Sequence, residues 1–322
     1  MQMRLIICSP VSVNFFNQRL GAIDGLTLTW AEAAELPALA RDADALVLPG
    51  AFYTPELAHT LTAKGNPCRW LQLLKAGYEQ LVEHGVPSRI EVNNAGSVWS
   101  PIVAEHAMAL LLTVARRIPR ILHAQTRQHW DDTIRHNMSM LIGSRLVIVG
   151  MGSIGTELAR RARAFGMAVT GVSRSGAPNP ETDQMLPVGR LHEALAQADH
   201  VVVAVPLSAD TRGLISTAEL AACRPHTVIV NVGRGPMIDS QALEQALAQD
   251  RIAGAALDVT DPEPLPAHAT LWRSPRVVIS PHLGGAAPEA YNERLVAHVV
   301  ANVRARLAGL PARDRVRLAA AP

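Results

Sequence analysis

Aromatic residues and a strong excess of charge are both missing from this sequence. Aromatics make up 4% of the 322 residues, and the formal net charge is +2, with lysine and arginine spread along the chain. Nucleic-acid-binding proteins carry a concentrated basic surface or aromatic side chains on which bases stack. The composition therefore argues against a nucleic-acid partner, and 48% apolar with 18% charged residues predicts a globular protein with a sizeable core.

Cysteines and long apolar segments are scarce as well. Cys8, Cys68 and Cys223 lie far apart without a CxxC motif, which argues against a disulfide framework or a metal site. The apolar run at residues 5–8 is too short for a signal-peptide core, and no segment approaches the ~18 apolar residues of a membrane helix. We therefore expect a soluble, cytoplasmic protein without a metal.

The N-terminal third alternates short apolar runs with polar, helix-like stretches. Residues 5–8, 45–48, 70–74 and 90–92 are predicted strands, and residues 54–63 are a predicted helix. Such alternation predicts a parallel sheet covered by helices.

A long apolar helix is predicted at residues 103–115, after Pro101. Its sequence is too apolar for a helix with one face in solvent. We therefore expect it to pack between domains or subunits, and it suggests a homodimer.

A second alternating block carries enough strands for a complete dinucleotide-binding domain. The predicted strands are residues 146–149, 168–172, 201–205, 228–231, 255–257 and 277–279. A last helix, residues 289–308, is expected to return to the first domain, and the residues after Gly309 are expected to form a tail. The prediction is an α/β protein with two doubly wound parallel-sheet domains, residues 1–99 plus 288–322 and residues 100–287.

The first strand of the second block runs directly into a GxGxxG motif. Gly150 permits the tight turn, Gly152 lets the backbone approach a pyrophosphate, and Gly155 lets the following helix pack closely on the strand. The N-terminus of that helix presents free N–H groups to phosphate. The motif in this context predicts a dinucleotide cofactor.

The end of the next strand predicts which dinucleotide is preferred. NAD sites usually carry an acidic residue about 20 positions after the glycines, whereas this chain has Ser173, Arg174 and Ser175. The guanidinium can pair with a 2′-phosphate, and the hydroxyls can donate hydrogen bonds to it. We predict NADPH as the preferred cofactor, and use of NAD as well stays open.

Three later strand ends carry polar residues suited to carbonyl reduction. Arg234 can clamp a carboxylate, His282 can supply a proton, and Glu263 beside the imidazole would fix its orientation. Each alone is compatible with an ordinary loop position, but together at neighbouring strand ends they predict an active site. The remaining histidines show no partnered motif, and we interpret them as structural.

Six segments together resemble one family. In this order, they are similar to motifs of the D-isomer-specific 2-hydroxyacid dehydrogenases, which include glyoxylate/hydroxypyruvate reductases and phosphoglycerate dehydrogenases. The resemblance implies a flavodoxin-like substrate domain beside a Rossmann-type domain and a homodimer, and the Ser-Arg-Ser segment resembles NADP-preferring reductases. The segments are VAEHAMALLL, VGMGSIG, VPLSADTRGLI, NVGRGPMID, GAALDVTDPEPLP and SPHLGG.

The resemblance also implies roles for individual residues. Arg234 matches the arginine that clamps the substrate, and His282 matches the catalytic histidine, which acts as an acid in reduction and a base in oxidation. Glu263 matches the glutamate that pairs with this histidine. Asp258 lies where the family holds the nicotinamide carboxamide. The other implied cofactor contacts are Ser153, Ile154, Val205, Pro206, Val232, Gly233, Gly284 and Gly285.

The substrate loop of the family resembles residues 74–79, with Lys75, Ala76 and Gly77 as substrate-binding residues. There the backbone N–H groups of Ala76 and Gly77 would hold a carboxylate. Lys75 and Trp99 depart from the usual pattern, which leaves the identity of the substrate open but not the type of reaction.

Three functions follow from these observations. The favoured one is NADP-dependent reduction of a small 2-oxo acid such as glyoxylate or hydroxypyruvate, because no long insertion for an acyl chain is present. Lys75 leaves oxidation of another small anion such as phosphite open, and formate is disfavoured because Glu263 supports a proton transfer that formate oxidation does not need. A nucleotide-sensing, corepressor-like protein would share the fold, but the intact set of Arg234, Glu263 and His282 argues against it.

Overall fold

The chain folds into two units, each built around a parallel sheet. The computed structural model describes residues 2–9, 13–286, 289–316 and 318. Unit 1 comprises the described residues of Met1–Trp99 and Ala287–Pro322, and unit 2 comprises Ser100–Ala286.

Strands and helices alternate along most of the chain. The strands are β1 (Met3–Ile7), β2 (Leu26–Trp30), β3 (Ala45–Leu48), β4 (Trp70–Leu73), β5 (Glu91–Asn93), β6 (Arg145–Val149), β7 (Ala168–Ser173), β8 (Gln184–Pro187), β9 (His200–Val203), β10 (Val228–Asn231), β11 (Gly254–Leu257) and β12 (Val277–Ile279). The α-helices are α1 (Val13–Leu20), α2 (Leu36–Leu39), α3 (Pro55–Thr62), α4 (Glu79–His84), α5 (Ser100–Ala115), α6 (Ile118–Thr126), α7 (Ser153–Ala164), α8 (Leu191–Leu195), α9 (Thr217–Ala222), α10 (Ser240–Ala248) and α11 (Glu289–Leu307).

The sheet of unit 1 has the strand order β2-β1-β3-β4-β5, the flavodoxin-like order. Strands β3 and β4 are buried along their whole length, as expected for parallel strands covered on both faces. Strand β2 was missed, because LTLTW alternates between half-buried and exposed residues next to only one neighbour, β1. The flavodoxin-like fold is confirmed.

The sheet of unit 2 has the order β12-β11-β10-β9-β6-β7-β8, a Rossmann-type arrangement with one strand more than predicted. The extra strand β8 lies at the edge and contains no apolar run that would mark it. The direction of strand addition reverses between β6 and β9. Ligands of doubly wound sheets bind beyond the carboxyl ends of the strands at such a point.

Helix α5 is apolar because it packs in the core of its own unit. Ala104, Ala107 and Leu111 are fully buried in one core cluster with residues of α7, β6 and β10. The helix therefore covers the sheet of unit 2, and packing between domains or subunits is not needed to explain its composition. Within the described residues, none of the helices is both long and apolar enough for a membrane span.

Residues 313–316, after α11, are not part of a tail. The N–H of Val316 donates to the carbonyl of Val92 at 2.8 Å, and Arg315 forms a bridge with Asn93. The prediction failed because this pairing joins positions more than 200 residues apart, which local composition does not reveal. Helix α11 itself packs on α1 in unit 1, as expected.

Candidate active site

The glycine motif forms the turn between β6 and α7. Gly150 has a φ of +108°, and a Cβ there would lie 2.6 Å from the carbonyl oxygen of Ala204. A Cβ on Gly155 would lie 2.0 Å from the carbonyl oxygen of Gly150, so α7 packs directly on the turn. A Cβ on Gly152, by contrast, would meet nothing within 4 Å. The backbone at Gly152 is therefore open to an approaching group, which fits a pyrophosphate.

Ser153 is the first residue of α7, and a residue of α5 donates a hydrogen bond to its hydroxyl. The buried Ser100 hydroxyl donates a hydrogen bond of 2.8 Å to Ser153 Oγ. The proton of Ser153 therefore remains available to a ligand. Ile154 is half-buried against the core cluster behind the turn.

The predicted 2′-phosphate segment forms a turn after β7. Ser173 Oγ accepts from the N–H of Gly176 at 3.1 Å, and Ser175 Oγ accepts from the N–H of Ala177 at 3.2 Å. Both hydroxyls keep their protons for donation. Arg174 is exposed and has no hydrogen-bond or ion-pair partner among the described residues, so its guanidinium is available for an anion.

A buried amide shapes the loop that carries Arg234. Asn231 Oδ1 accepts from the N–H of Gly233 at 3.0 Å, and its Nδ2 donates to the carbonyl of Arg234 at 2.9 Å. The Arg234 side chain donates to the carbonyl of Gly233 at 2.8 Å. Val232, which precedes this turn, donates its N–H to Val203 at 3.1 Å.

Val205 and Pro206 follow β9, the neighbouring strand of the sheet. The Pro206 carbonyl accepts from the Thr211 hydroxyl at 2.8 Å, which closes the loop on itself. The side chain of Val205 packs at the turn, since its Cγ1 would lie 2.7 Å from a Cβ on Gly150. The predicted cofactor residues at these strand ends thus adjoin the glycine turn.

Glu263 and His282 meet although 19 positions separate them. His282 Nδ1 lies 2.6 Å from Glu263 Oε1, and both side chains are close to half exposed. Glu263 follows β11, which adjoins β10 and its Arg234 loop, and His282 follows β12, which adjoins β11. A carboxylate on Nδ1 fixes the imidazole tautomer and leaves Nε2 to exchange a proton with a ligand.

Asp258 is buried at the end of β11 and accepts hydrogen bonds through both carboxylate oxygens. The pKa of this carboxyl is lowered. Burial alone would raise it, but hydrogen bonds from the side chains of His106 and Ser280 and from the N–H groups of Gly284 and Leu283 outweigh the effect of burial. A Cβ on Gly284 would lie 2.6 Å from Asp258 Oδ2, so glycine is required there. Gly285, the next residue, is half-buried.

The predicted substrate loop lies in unit 1. In the described part of the chain, the N–H groups of Ala76 and Gly77 have no hydrogen-bond partner, as a carboxylate-binding backbone would require. Asn94 Nδ2 donates to the carbonyl of Ala76 at 2.9 Å and braces the loop. Lys75 Nζ lies 4.0 Å over the ring of Trp99, and burial lowers the pKa of this amine.

Comparison with known proteins decides the family. Residues 108–284 match the family model "D-isomer specific 2-hydroxyacid dehydrogenase, NAD binding domain". A glyoxylate reductase of Thermococcus kodakarensis is 33% identical over 269 residues, which cover 80% of this chain and 80% of that protein. The chain belongs to the D-isomer specific 2-hydroxyacid dehydrogenase family.

Solved structures agree with this assignment to the 2-hydroxyacid dehydrogenases. A family protein from Aeromonas salmonicida is similar with a TM-score of 0.87 and 28% identity, over 98% of this chain and 99% of that one. A family member from Xanthobacter autotrophicus Py2, in complex with NADPH and MES, has a TM-score of 0.81 and 26% identity, over 98% of both chains. The predicted family and fold are confirmed, and the protein is an NAD(P)-dependent dehydrogenase that acts on a CH–OH group.

Sequence reasoning missed three residues that shape the site of this dehydrogenase: Ser100, His106 and Asn231. His106 was interpreted as structural, but its Nε2 lies 3.1 Å from Asp258 Oδ1 and 3.0 Å from Ser280 Oγ. A histidine within the apolar helix α5 was a detectable signal, because a buried polar group requires a partner. Among the described residues, no group of three or more His, Cys, Asp or Glu side chains could hold a metal.

Proposed function

We propose that this dehydrogenase reduces a small 2-oxo acid, glyoxylate or hydroxypyruvate, with NADPH as the preferred cofactor. The observation that carries the proposal is the 2.6 Å contact between His282 Nδ1 and Glu263 Oε1. These residues follow β12 and β11, and Arg234 follows β10, the next strand in the same sheet. The similarity to a glyoxylate reductase over 80% of the chain supports the choice of substrate class.

The glycine turn and the neighbouring strand ends would hold the cofactor. The open backbone at Gly152 and the hydroxyl of Ser153 suit its pyrophosphate, and the exposed Arg174 suits a 2′-phosphate. When bound in reduced form, the nicotinamide supplies a hydride to carbon 2 of the acid. Unit 2 is thus the proposed cofactor domain and unit 1 the proposed substrate domain.

The protein's own groups supply binding and the proton. The guanidinium of Arg234 in unit 2 is proposed to clamp the substrate carboxylate. In unit 1, the N–H groups of Ala76 and Gly77 are proposed as carboxylate-binding donors. His282 in its imidazolium form gives the Nε2 proton to the carbonyl oxygen, which becomes a hydroxyl, and the ring is left neutral. Glu263 stabilises the imidazolium and keeps Nε2 directed outward.

A substrate panel tests this function. We expect the highest kcat/KM with a short 2-oxo acid and NADPH, followed by absorbance of the reduced cofactor. Turnover confined to phosphite or formate with NADP⁺ would contradict the proposal, and so would a clear preference for NADH. Binding of NADPH without turnover of any acid would favour a nucleotide-sensing protein.

A homodimer is part of the proposal, and exposed apolar side chains support it. Ile121 on α6 is 37% exposed and Trp130, in the segment that follows, is 91% exposed, and both line the same surface groove. Large apolar side chains that cluster at a surface commonly mark protein contacts. Light scattering at micromolar protein concentration is expected to give the mass of two chains, and the mass of one chain would refute the dimer.

A further inference from the structure

Asp258 connects helix α5 with the loop that carries His282. Its Oδ1 accepts from His106 Nε2 at 3.1 Å, Ser280 Oγ at 2.7 Å and the N–H of Leu283 at 2.8 Å. Its Oδ2 accepts from the N–H of Gly284 at 2.9 Å. Each carboxylate oxygen has about two acceptor positions. Three donors therefore compete for the two positions of Oδ1, and the His106 proton is shared with Ser280 Oγ, 3.0 Å from Nε2, whereas Oδ2 keeps room for one further donor.

The backbone at His282 depends on this carboxylate. His282 has a φ of +54°, in the left-handed region that residues with a Cβ disfavour. Its N–H donates to the carbonyls of Asp258 at 2.8 Å and Ser280 at 2.9 Å, and the next two N–H groups donate to the Asp258 side chain. Asp258 therefore contacts three consecutive N–H groups, the two after His282 through its carboxylate.

We propose that His106 is a positioning residue of the active site: its Nε2–H bond to Asp258 fixes the carboxylate that holds residues 282–284. The ring is 24% exposed, and the carboxylate it contacts is 3% exposed. A Cβ on Gly284 would lie 3.6 Å from His106 Cδ2, so the ring also adjoins the loop itself. The inference rests on the proposed function, in which His282 transfers the proton.

Two roles of His106 need to be separated, donation of a hydrogen bond and simple filling of space. His106→Gln keeps an N–H donor at the end of a side chain of similar length, whereas His106→Met keeps the bulk and removes the donor. Thr113→Val is a matched control on the same helix. Thr113 donates only within α5, to Ala109 at 2.7 Å, so its loss is expected to leave the loop intact.

Loss of the His106 hydrogen-bond donor is expected to affect kcat more than KM. We expect His106→Met to lower kcat for the 2-oxo acid by about tenfold, which corresponds to ~1.4 kcal/mol. KM for the acid stays within about threefold of wild type, because Arg234 is untouched, and His106→Gln recovers most of kcat. Hydrogen exchange of a peptide covering residues 280–286 is expected to be faster in His106→Met than in wild type or His106→Gln.

Several results would overturn the inference. A wild-type kcat in His106→Met excludes a positioning role, and equal losses in His106→Gln and His106→Met exclude the hydrogen bond as its cause. Wild-type enzyme inactive on every 2-oxo acid refutes the proposed function instead. In that case the exchange measurement on unliganded protein still decides whether His106 holds the loop.

Discussion

Replacing Gly152 by alanine separates cofactor binding from folding. A Cβ at this position would meet nothing within 4 Å, and a φ of −78° with a ψ of −160° is extended backbone that alanine adopts. The unliganded protein is therefore expected to keep its stability or gain about 0.4–1 kcal/mol, because alanine reduces the freedom of the unfolded chain.

The same methyl group is expected to weaken NADPH binding. It would occupy the space through which the pyrophosphate reaches the backbone of the turn. A hydrogen bond to a charged group is worth about 1.5–3 kcal/mol. Since ~1.4 kcal/mol corresponds to a tenfold change in affinity, the loss of one such bond raises Kd by about tenfold to hundredfold.

Two other glycine variants serve as controls for Gly152→Ala. Gly189→Ala also places a Cβ in open space but lies outside the turn, so NADPH affinity is expected to stay as in wild type while stability is kept or slightly raised, as in Gly152→Ala. Gly155→Ala is expected to lower the melting temperature, because its Cβ would lie 2.0 Å from the Gly150 carbonyl oxygen. Fluorescence titration with NADPH and thermal unfolding give both quantities. An unchanged Kd in Gly152→Ala would refute the placement of the pyrophosphate.

Three further substitutions or conditions test other parts of the site. Glu263→Gln keeps a hydrogen-bond acceptor but removes the charge that stabilises the imidazolium, so kcat is expected to fall by about tenfold or more, with melting temperature as the control for folding. Arg174→Asp is expected to lower the ratio of kcat/KM for NADPH over NADH by more than about tenfold, and an unchanged ratio would remove Arg174 from cofactor selection. Because the Asp258 pKa is lowered in the folded protein, its contribution to stability is complete above the unfolded-state pKa of about 3.9 and is lost as pH falls through the lower folded-state value. Acid unfolding should therefore be less steep in Asp258→Asn than in wild type.

The sequence allowed prediction of features that depend on local pattern. Buried parallel strands appear as continuous apolar runs, and for β10 the predicted and observed bounds agree. Residues that follow those strands gather at one sheet edge, which is why Glu263 and His282 were paired correctly despite their separation. Glycine spacing likewise located the turn at Gly150, because only glycine satisfies its backbone.

Features that depend on distant partners were not predictable in this way. The edge strands β2 and β8 lack apolar runs, since an edge position leaves part of a strand in solvent. The hydroxyl bond from Ser100 to Ser153 joins residues 53 positions apart, and neither residue alone indicates the other. The segment around Val316 has the composition of a tail, and its pairing with Val92 is purely tertiary, so local sequence does not indicate it.

The loops of two candidate site residues, the half-buried Arg234 and the exposed His282, are held by buried polar residues at strand ends. Asn231 is 1% exposed and binds the backbone on either side of Arg234, and Asp258 is 3% exposed and binds the backbone from His282 onward. Asn231 and Asp258 each use one side chain to bind two backbone groups of a loop. These groups lie outside the sheet, so strand pairing cannot satisfy them. In the proposed function, the backbones of the arginine and the histidine are thus fixed by the sheet before substrate binds, so that little ordering of these loops is needed.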